Sequence, residues 1–457
     1  MNKIRFYLAL YAAKGAQLAM KLLGRNATFL PGKIAIKLCP HFLRYLNPPK
    51  TVVAVTGTNG KTTVSNLLTS ILRKNGFSVT NNSLGSNVQA GVISALIEDT
   101  TLLNQPKKDI AILEVDERSS LLIYPDLPPQ YLVCNNLMRD SNKRNAHTEF
   151  IQYIIRTALP TSTHLILNGD DMVGCGLAKE GQKCTYFGLD TEIPEKREPQ
   201  LIQDIVYCPD CGSILDFEYV RYNHIGRMFC PNCGKKSPER DFRVTNIDRQ
   251  NATFTVTHGE ASNTYNLIND NIVNVYNFCG AIALLTRLGL SYEQINKGFA
   301  DSEIVKSRFD ATKSGDLSIT LIMSKGQNPI ACTRCYDYVS KVASPGKGII
   351  LHVDDLADNI KDTENICWLY DTDYTYLIDP SIKQIVFAGP RCYDHYIRGL
   401  MAGVPAEKML LTRDASEGAK LIDTNLCKDI FVLYDLYLNK EAAFTKNALV
   451  QRGQEGV

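Results

Sequence analysis

Residues 54–63 read Ala-Val-Thr-Gly-Thr-Asn-Gly-Lys-Thr-Thr and close an apolar run that starts at Thr51. A strand that empties into such a loop is suited to holding nucleotide phosphates. Gly57 and Gly60 permit a tight turn through Thr58 and Asn59 with the backbone N–H groups facing inward. Lys61 adds a mobile positive charge, and Thr62 or Thr63 offers a hydroxyl to a magnesium ion at the start of the next helix. The spacing is not the generic GxxxxGK[ST] loop, because Val55 stands where its first glycine would be.

Two further groups of residues could do chemistry. The apolar run Ile110–Val115 contains Glu114 and is followed by Asp116 and Glu117. Carboxylates at the end of a strand near a phosphate loop can hold magnesium, a hard cation that prefers oxygen; Asp116 and Glu117 could equally be a solvated strand end. Farther on, Cys208-Pro-Asp-Cys211-Gly and Cys230-Pro-Asn-Cys233-Gly form two knuckles. Each puts two thiolates on one turn, and a pair of such turns predicts a tetrahedral four-cysteine zinc site. With all four positions taken by Cys, the zinc is expected to be structural, stabilising an insertion too small to bury its own core. Cys332 and Cys335 repeat the spacing without a second pair and read as ordinary thiols. Arg221, Tyr222, His224 and Arg227, between the knuckles, read as the solvated face of a small β-ribbon.

The elements that must position these groups follow an α/β rhythm. Short apolar runs at Val52–Val55, Ile110–Val115, Tyr131–Cys134 and His164–Leu167 alternate with helical stretches. This predicts a mostly parallel sheet covered on both faces, with ligands at the carboxyl ends of its strands. The cysteine insertion breaks the rhythm at about 201–241. Strands then resume from Phe242 through Leu267, and a helix is expected over Val275–Leu288. Runs at Gly348–Val353, Gln384–Ala388 and Ile430–Tyr434 predict a second, smaller Rossmann-like α/β domain. The expected organisation is a helical leader over 1–50, an ATP-binding domain over 51–300 and a last domain over 301–457.

Composition narrows the class. The 457 residues suit two or three domains. A formal net charge of +2 gives no argument for nucleic acid. Fourteen cysteines in so long a chain are not a secreted disulfide framework, and a reducing cytoplasm is the expected setting. Lys14 and Lys21 interrupt the apolar stretch Phe6–Leu23, and no small-residue cleavage site follows, which argues against a signal peptide or a spanning helix. Lys3, Arg5, Lys14, Lys21 and Arg25 around apolar residues suit a helix on an anionic membrane surface, or one packed on its own protein.

The TGTNGKTT loop resembles that of the Mur ligases, which join a carboxylate to an amine through an acyl phosphate. The resemblance implies that Glu114, with Thr62, holds magnesium. It also covers Asn168-Gly-Asp-Asp171, similar to an N-x-D-D stretch near the nucleotide. Asn274-Val-Tyr-Asn277 is similar to an N-x-x-N stretch whose second Asn contacts ATP, and Arg308 matches a nucleotide-facing Arg at the domain junction. The metal-binding D-H-L-D-x-H stretch is altered here: Asp140 and His147 match its ends and the middle does not.

The loop, the inserted zinc ribbon and the atypical last domain together resemble the MurT family, ligase-like subunits of lipid II isoglutaminyl synthase. That resemblance implies amidation of the α-carboxylate of D-Glu in the lipid II stem peptide, during peptidoglycan synthesis at the inner face of the membrane. ATP and Mg²⁺ would serve the reaction, with a structural Zn²⁺ in the ribbon. Because no Cys lies in a G-x-C-x-G elbow, ammonia would come from a separate GatD-type glutamine amidotransferase subunit, giving a heterodimer. In the family an Asp of the last domain completes that partner's Cys–His pair; Asp362 in Lys361-Asp362-Thr363 matches best, with Asp355 and Asp358 as alternatives. A Mur-type ligase that adds an amino acid, and a zinc-ribbon nucleic-acid-binding ATPase, are the competing expectations.

Overall fold

The computed structural model describes residues 2–83, 86–139, 147–190, 192–194, 202–300, 309–324, 328–353, 366–435 and 438–455. Asp140, Arg308, Asp355, Asp358 and Asp362 lie outside the described residues. Two compact units divide the chain: Met1–Met138 with His147–Val305, and Arg139–Ala146 with Lys306–Val457.

The first unit is organised by strand β1 (Thr51–Thr56), whose Val52, Val53, Ala54 and Val55 are all buried. A continuous run of small and β-branched apolar residues suits a strand covered on both faces. With β2 (Val79–Asn81), β3 (Ile110–Glu114), β4 (Tyr131–Cys134), β5 (His164–Asn168) and β6 (Cys184–Leu189) it forms a parallel array. Strands β9 (Phe242–Asp248), β10 (Thr253–His258) and β11 (Ala261–Asn266) extend it through one parallel and two antiparallel pairings. The order is β11-β10-β9-β6-β5-β4-β1-β3-β2. From β1 the chain travels first to β2 and β3 on one side and then to β4, β5 and β6 on the other. β1 therefore stands at the topological switch point, where open α/β sheets bind ligands.

Helices α1 (Asn2–Leu22), α2 (Leu30–Leu38) and α3 (Phe42–Tyr45) precede the sheet. Phe6, Ala9, Leu10 and Ala13 of α1 enter the same apolar core as Val52 and Ala54. The Gln17 amide donates to Ser94 O at 3.0 Å and the Lys14 ammonium to Ile97 O at 2.7 Å. One face of α1 is thus packed on its own protein. No helix of the described residues is long and apolar enough to cross a membrane. Past the loop, α4 (Lys61–Lys74) covers the sheet, and α5 (Gln89–Glu98) packs against α1 and α2.

The cysteine insertion carries a hairpin of β7 (Asp216–Tyr222) and β8 (Ile225–Phe229), turned by Asn223 at φ 49°. The expected solvated face is wrong: Arg221 and His224 are 0% exposed, and Tyr222 and Arg227 are buried. Arg221 donates to the carbonyls of Asp190 and Ile193, satisfying a cation within the protein. His224 lies between two buried carboxylates, with Nε2 3.1 Å from Asp171 and Nδ1 3.5 Å from Asp204. Neighbouring Asp170 accepts from Tyr276 at 2.7 Å and pairs with Arg240 at 3.2 Å. Local patterning sends polar residues to solvent; here the partners of Arg221 are main-chain carbonyls and those of His224 are carboxylates, all remote in sequence, which periodicity cannot pair.

The second unit holds β12 (Phe309–Ser314), β13 (Leu317–Met323), β14 (Lys347–His352), β15 (Ile382–Ala388), β16 (Met409–Thr412) and β17 (Asp429–Tyr434). Their order is β12-β13-β17-β14-β15-β16, parallel except for the antiparallel edge pair β12–β13. Cys332 and Cys335 sit on the helix Pro329–Lys341, Cys332 buried with its thiol pushed up by burial.

Burial would lower the His224 pKa, but its two carboxylate partners hold it up to about 9. Since that is above the ordinary value of about 6.5, the imidazolium's contribution to stability is complete below pH 6.5 and is lost as pH rises through 9. His224→Ala should cost about 3 kcal/mol at pH 6, by stranding buried carboxylates, and the gap from wild type should narrow by pH 9.5. Thermal unfolding of both proteins across that range tests this, and a pH-independent gap would contradict the ion pair.

Candidate active site

Parallel pairing aligns the carboxyl ends of three strands. Val55 is in register with Glu114 of β3 and Val133 of β4, and Thr56 with Cys134. The phosphate loop therefore emerges between Glu114 and the segment 135–138. Gly57 and Gly60 adopt φ of 119° and 85°. A Cβ at Gly57 would lie 2.8 Å from Asn136 O, and one at Gly60 would collide with the Asn277 amide. Both glycines are thus required by conformation and by close approach.

The loop is held from one side. Thr58 N donates to Asn136 O at 2.9 Å and Asn59 N to Asn136 Oδ1 at 3.0 Å. The Thr58 hydroxyl donates to Met138 O at 2.9 Å and accepts from Met138 N at 2.8 Å. Leu137 N, between them, donates to Asp171 Oδ2 at 2.7 Å. Asp170 and Asp171 are fully buried, so the N-x-D-D stretch supports the loop's neighbour and the ribbon from within the fold.

Lys61 begins α4. Its ammonium donates to Gly57 O at 2.6 Å and meets Glu117 at 2.9 Å. Burial alone would lower the Lys61 pKa; Glu117, with Glu114 and Asp116 behind it, holds the pKa above the ordinary value. Glu117 is buried, not a solvated strand end. Glu114 Oε2 accepts from the Thr62 hydroxyl at 2.9 Å, and Oε1 from Asn87 at 3.0 Å. Asn82 brackets the Glu114 backbone through its N–H at 2.8 Å and its carbonyl at 2.9 Å. A carboxylate beside a hydroxyl, at the mouth of a phosphate loop, is a hard-oxygen donor set of the kind magnesium takes. Thr63 follows on the same turn, partly exposed.

Asn277 belongs to the helix Ile272–Arg287, whose start is capped by the Asn271 side chain accepting from Val273 N. Its Oδ1 is buried without a hydrogen-bond partner beside Gly60, and Asn135 Oδ1 is likewise unsatisfied. Buried acceptors left open at a phosphate loop are the mark of a site awaiting a ligand or water.

The four knuckle cysteines also converge. Their sulfurs all lie within 4.8 Å of one another, with Cys208 3.6 Å from Cys233 and Cys211 3.5 Å from Cys230. Four thiolates at these separations fit one tetrahedral ion with metal–sulfur bonds of about 2.3 Å.

The structure thus brings together Gly57, Thr58, Asn59, Gly60, Lys61, Thr62, Glu114 and Asn277, and separately the four cysteines. His147 stands exposed at the start of the helix Thr148–Ala158. Asn82, Asn87, Asn135 and Asn136 were not anticipated as site residues; their one sequence signal is position, just past β2 or β4.

A phosphate loop at the switch point of one parallel-rich sheet, followed by a smaller parallel-rich unit, is the arrangement of the Mur-ligase-like fold. A solved pseudomurein peptide ligase type C from Methanothermus fervidus shares the fold, with a TM-score of 0.65 at 18% identity over 90% of this chain and 81% of that one. Residues 326–436 match the model of the MurT ligase C-terminal family. Over 431 residues the chain is 30% identical to the lipid II isoglutaminyl synthase (glutamine-hydrolyzing) subunit MurT of Streptococcus pneumoniae (strain ATCC BAA-255 / R6), covering 93% of each. It is 29% identical to the same subunit of Staphylococcus aureus (strain COL), over 92% of this chain and 93% of that one. The chain belongs to the MurT family.

Gly60→Ala should lower the melting temperature through backbone strain of about 1 to 3 kcal/mol. Adding Asn277→Ala should return the part due to the collision. Thermal unfolding of the single and double variants measures both, and an unchanged Gly60→Ala protein would contradict the loop geometry.

Proposed function

We propose that this chain is the ATP-dependent, amide-forming subunit of a lipid II isoglutaminyl synthase. The observation that carries the reading is its relation, over 93% of its length, to subunits of that name, in a chain that keeps a complete phosphate loop. Residues 51–300 would form the ATP-binding domain and 301–457 the domain that meets a GatD-type glutaminase, in the cytoplasm at the inner face of the membrane. The substrate is the α-carboxylate of the stem-peptide D-Glu of lipid II.

The residues divide the work as follows. With Thr58 N and Asn59 N held by Asn136, the N–H groups from Gly60 to Thr63 cradle the phosphates of ATP, with Asn277 and Arg308 on the nucleotide. Lys61 is already charged; it exchanges Gly57 O and Glu117 for phosphate oxygens and neutralises the charge shed toward ADP. Glu114 and Thr62 would hold magnesium, which when bound screens the same oxygens. A carboxylate oxygen of the substrate attacks the γ-phosphorus and the bond to ADP breaks. Ammonia then attacks the acyl carbon, phosphate leaves with the C–O electron pair, and a proton is lost. Asp362 would orient the partner's catalytic imidazole. Zinc on Cys208, Cys211, Cys230 and Cys233 would close the ribbon that carries Arg221 and His224.

Mass spectrometry of lipid II with ATP, Mg²⁺ and ammonium should show OH exchanged for NH₂ on one carboxyl, and glutamine should replace ammonium only with the glutaminase present. Lys61→Ala should lower both rates by about a hundredfold or more. Asp362→Ala should suppress only the glutamine-driven reaction. Product that forms with an amino acid and not with ammonia would overturn the amidation reading.

Metal analysis should find one zinc per chain. Cys208→Ser with Cys233→Ser should remove it and lower the melting temperature. A metal-free wild type of equal stability would contradict the structural zinc.

A further inference from the structure

Helix α1 has two apolar faces where packing needs only one. Phe6, Ala9, Leu10 and Ala13 are in the core. On the opposite side Ile4, Leu8, Tyr11, Leu18 and Leu22 are exposed, Leu8 at 62%, Leu18 at 61% and Leu22 at 79%. At about 100° per residue these five fall within one narrow arc; Gly15 lies inside it and Ala12 and Ala19 border it, without a charge. The stripe runs the length of a 21-residue helix. So ordered an exposed apolar surface implies a second apolar medium.

Charge indicates which medium. Asp and Glu are absent from the first 97 residues, which carry twelve Lys and Arg. With the whole chain at +2, residues 98–457 carry a net −10. Lys3 and Arg5 are exposed and flank the stripe on its two edges; Lys21, on the same edge as Lys3, pairs with Glu98. Beyond the helix, Arg25 and, on α2, Lys33 and Lys37 are exposed as well.

We propose that α1 docks the first unit on an anionic lipid surface. It lies in the membrane plane with the leucine stripe at the acyl boundary and the cations among the headgroups. A second copy of the chain is a poor occupant, because two cationic rims would face each other across the stripe. The proposal stands on the helix alone and not on the amidation reading, since it needs no substrate.

The test is flotation of the full chain, assembled with any co-purifying subunit, on vesicles that contain no substrate. Vesicles of phosphatidylcholine with phosphatidylglycerol are compared with phosphatidylcholine alone, at low and high salt. The protein should float with the anionic vesicles, in a salt-sensitive way. Leu8→Gln/Leu18→Gln/Leu22→Gln should weaken binding about tenfold or more, and Lys3→Glu/Arg5→Glu similarly, each at an unchanged melting temperature. The charge-reversal variant keeps the test decisive if the leucine variant does not fold. Absence of flotation, or flotation that both variants leave unchanged, would overturn the proposal. So would a self-associated form that the leucine substitutions dissolve without any vesicle binding.

Discussion

The site depends on the parallel pairing of one buried strand with two neighbours. β1 lies between β3 and β4, so the phosphate loop, Glu114 and the Asn135–Asn136 pair leave the sheet side by side. Each side supplies something different. From β3 come the carboxylates that charge and hold Lys61 and meet Thr62. From β4 come the backbone and amide groups that fix the loop's shape. A slip of one residue in either pairing would turn Glu114 or Asn136 to the other face of the sheet.

Lys61 is held by the protein's own groups. Its ammonium occupies the loop's centre, bound to Gly57 O and Glu117. The buried acid supplies the charge that keeps a desolvated lysine protonated. A phosphate bound as proposed would displace that carboxylate at least in part.

The ribbon is joined to this loop by buried charge. Asp171 spans the two, accepting from Leu137 beside the loop's Asn136 and pairing with His224 at the hairpin tip. The main-chain carbonyl of Asp170 accepts from Gly226 N near the same tip, and its carboxylate pairs with Arg240. A metal bound at the cysteine knuckles would therefore stabilise more than its own insertion. It would hold the hairpin whose His224 pairs with Asp171, just past β5 and one strand away from the support of the phosphate loop.

Much was determined by the chain itself. The glycine loop after a β-branched run, the two cysteine knuckles and the α/β alternation each follow from local chemistry and short-range spacing. Both parallel-rich sheets and the convergence of the four sulfurs agree with that reading. What only the tertiary structure decided involves partners distant in sequence. Glu117 reads as a solvated strand end until Lys61 lies against it. Asn82 and Asn87 carry no motif, and gain a role only when β2 and β3 align beside the loop. Arg221 and His224 read as surface residues because hydropathy registers their charge; the structure buries them because their partners, main-chain carbonyls for Arg221 and carboxylates for His224, lie elsewhere in the chain. Spacing specifies chemistry within a turn or a strand, and only the folded sheet specifies which turns meet.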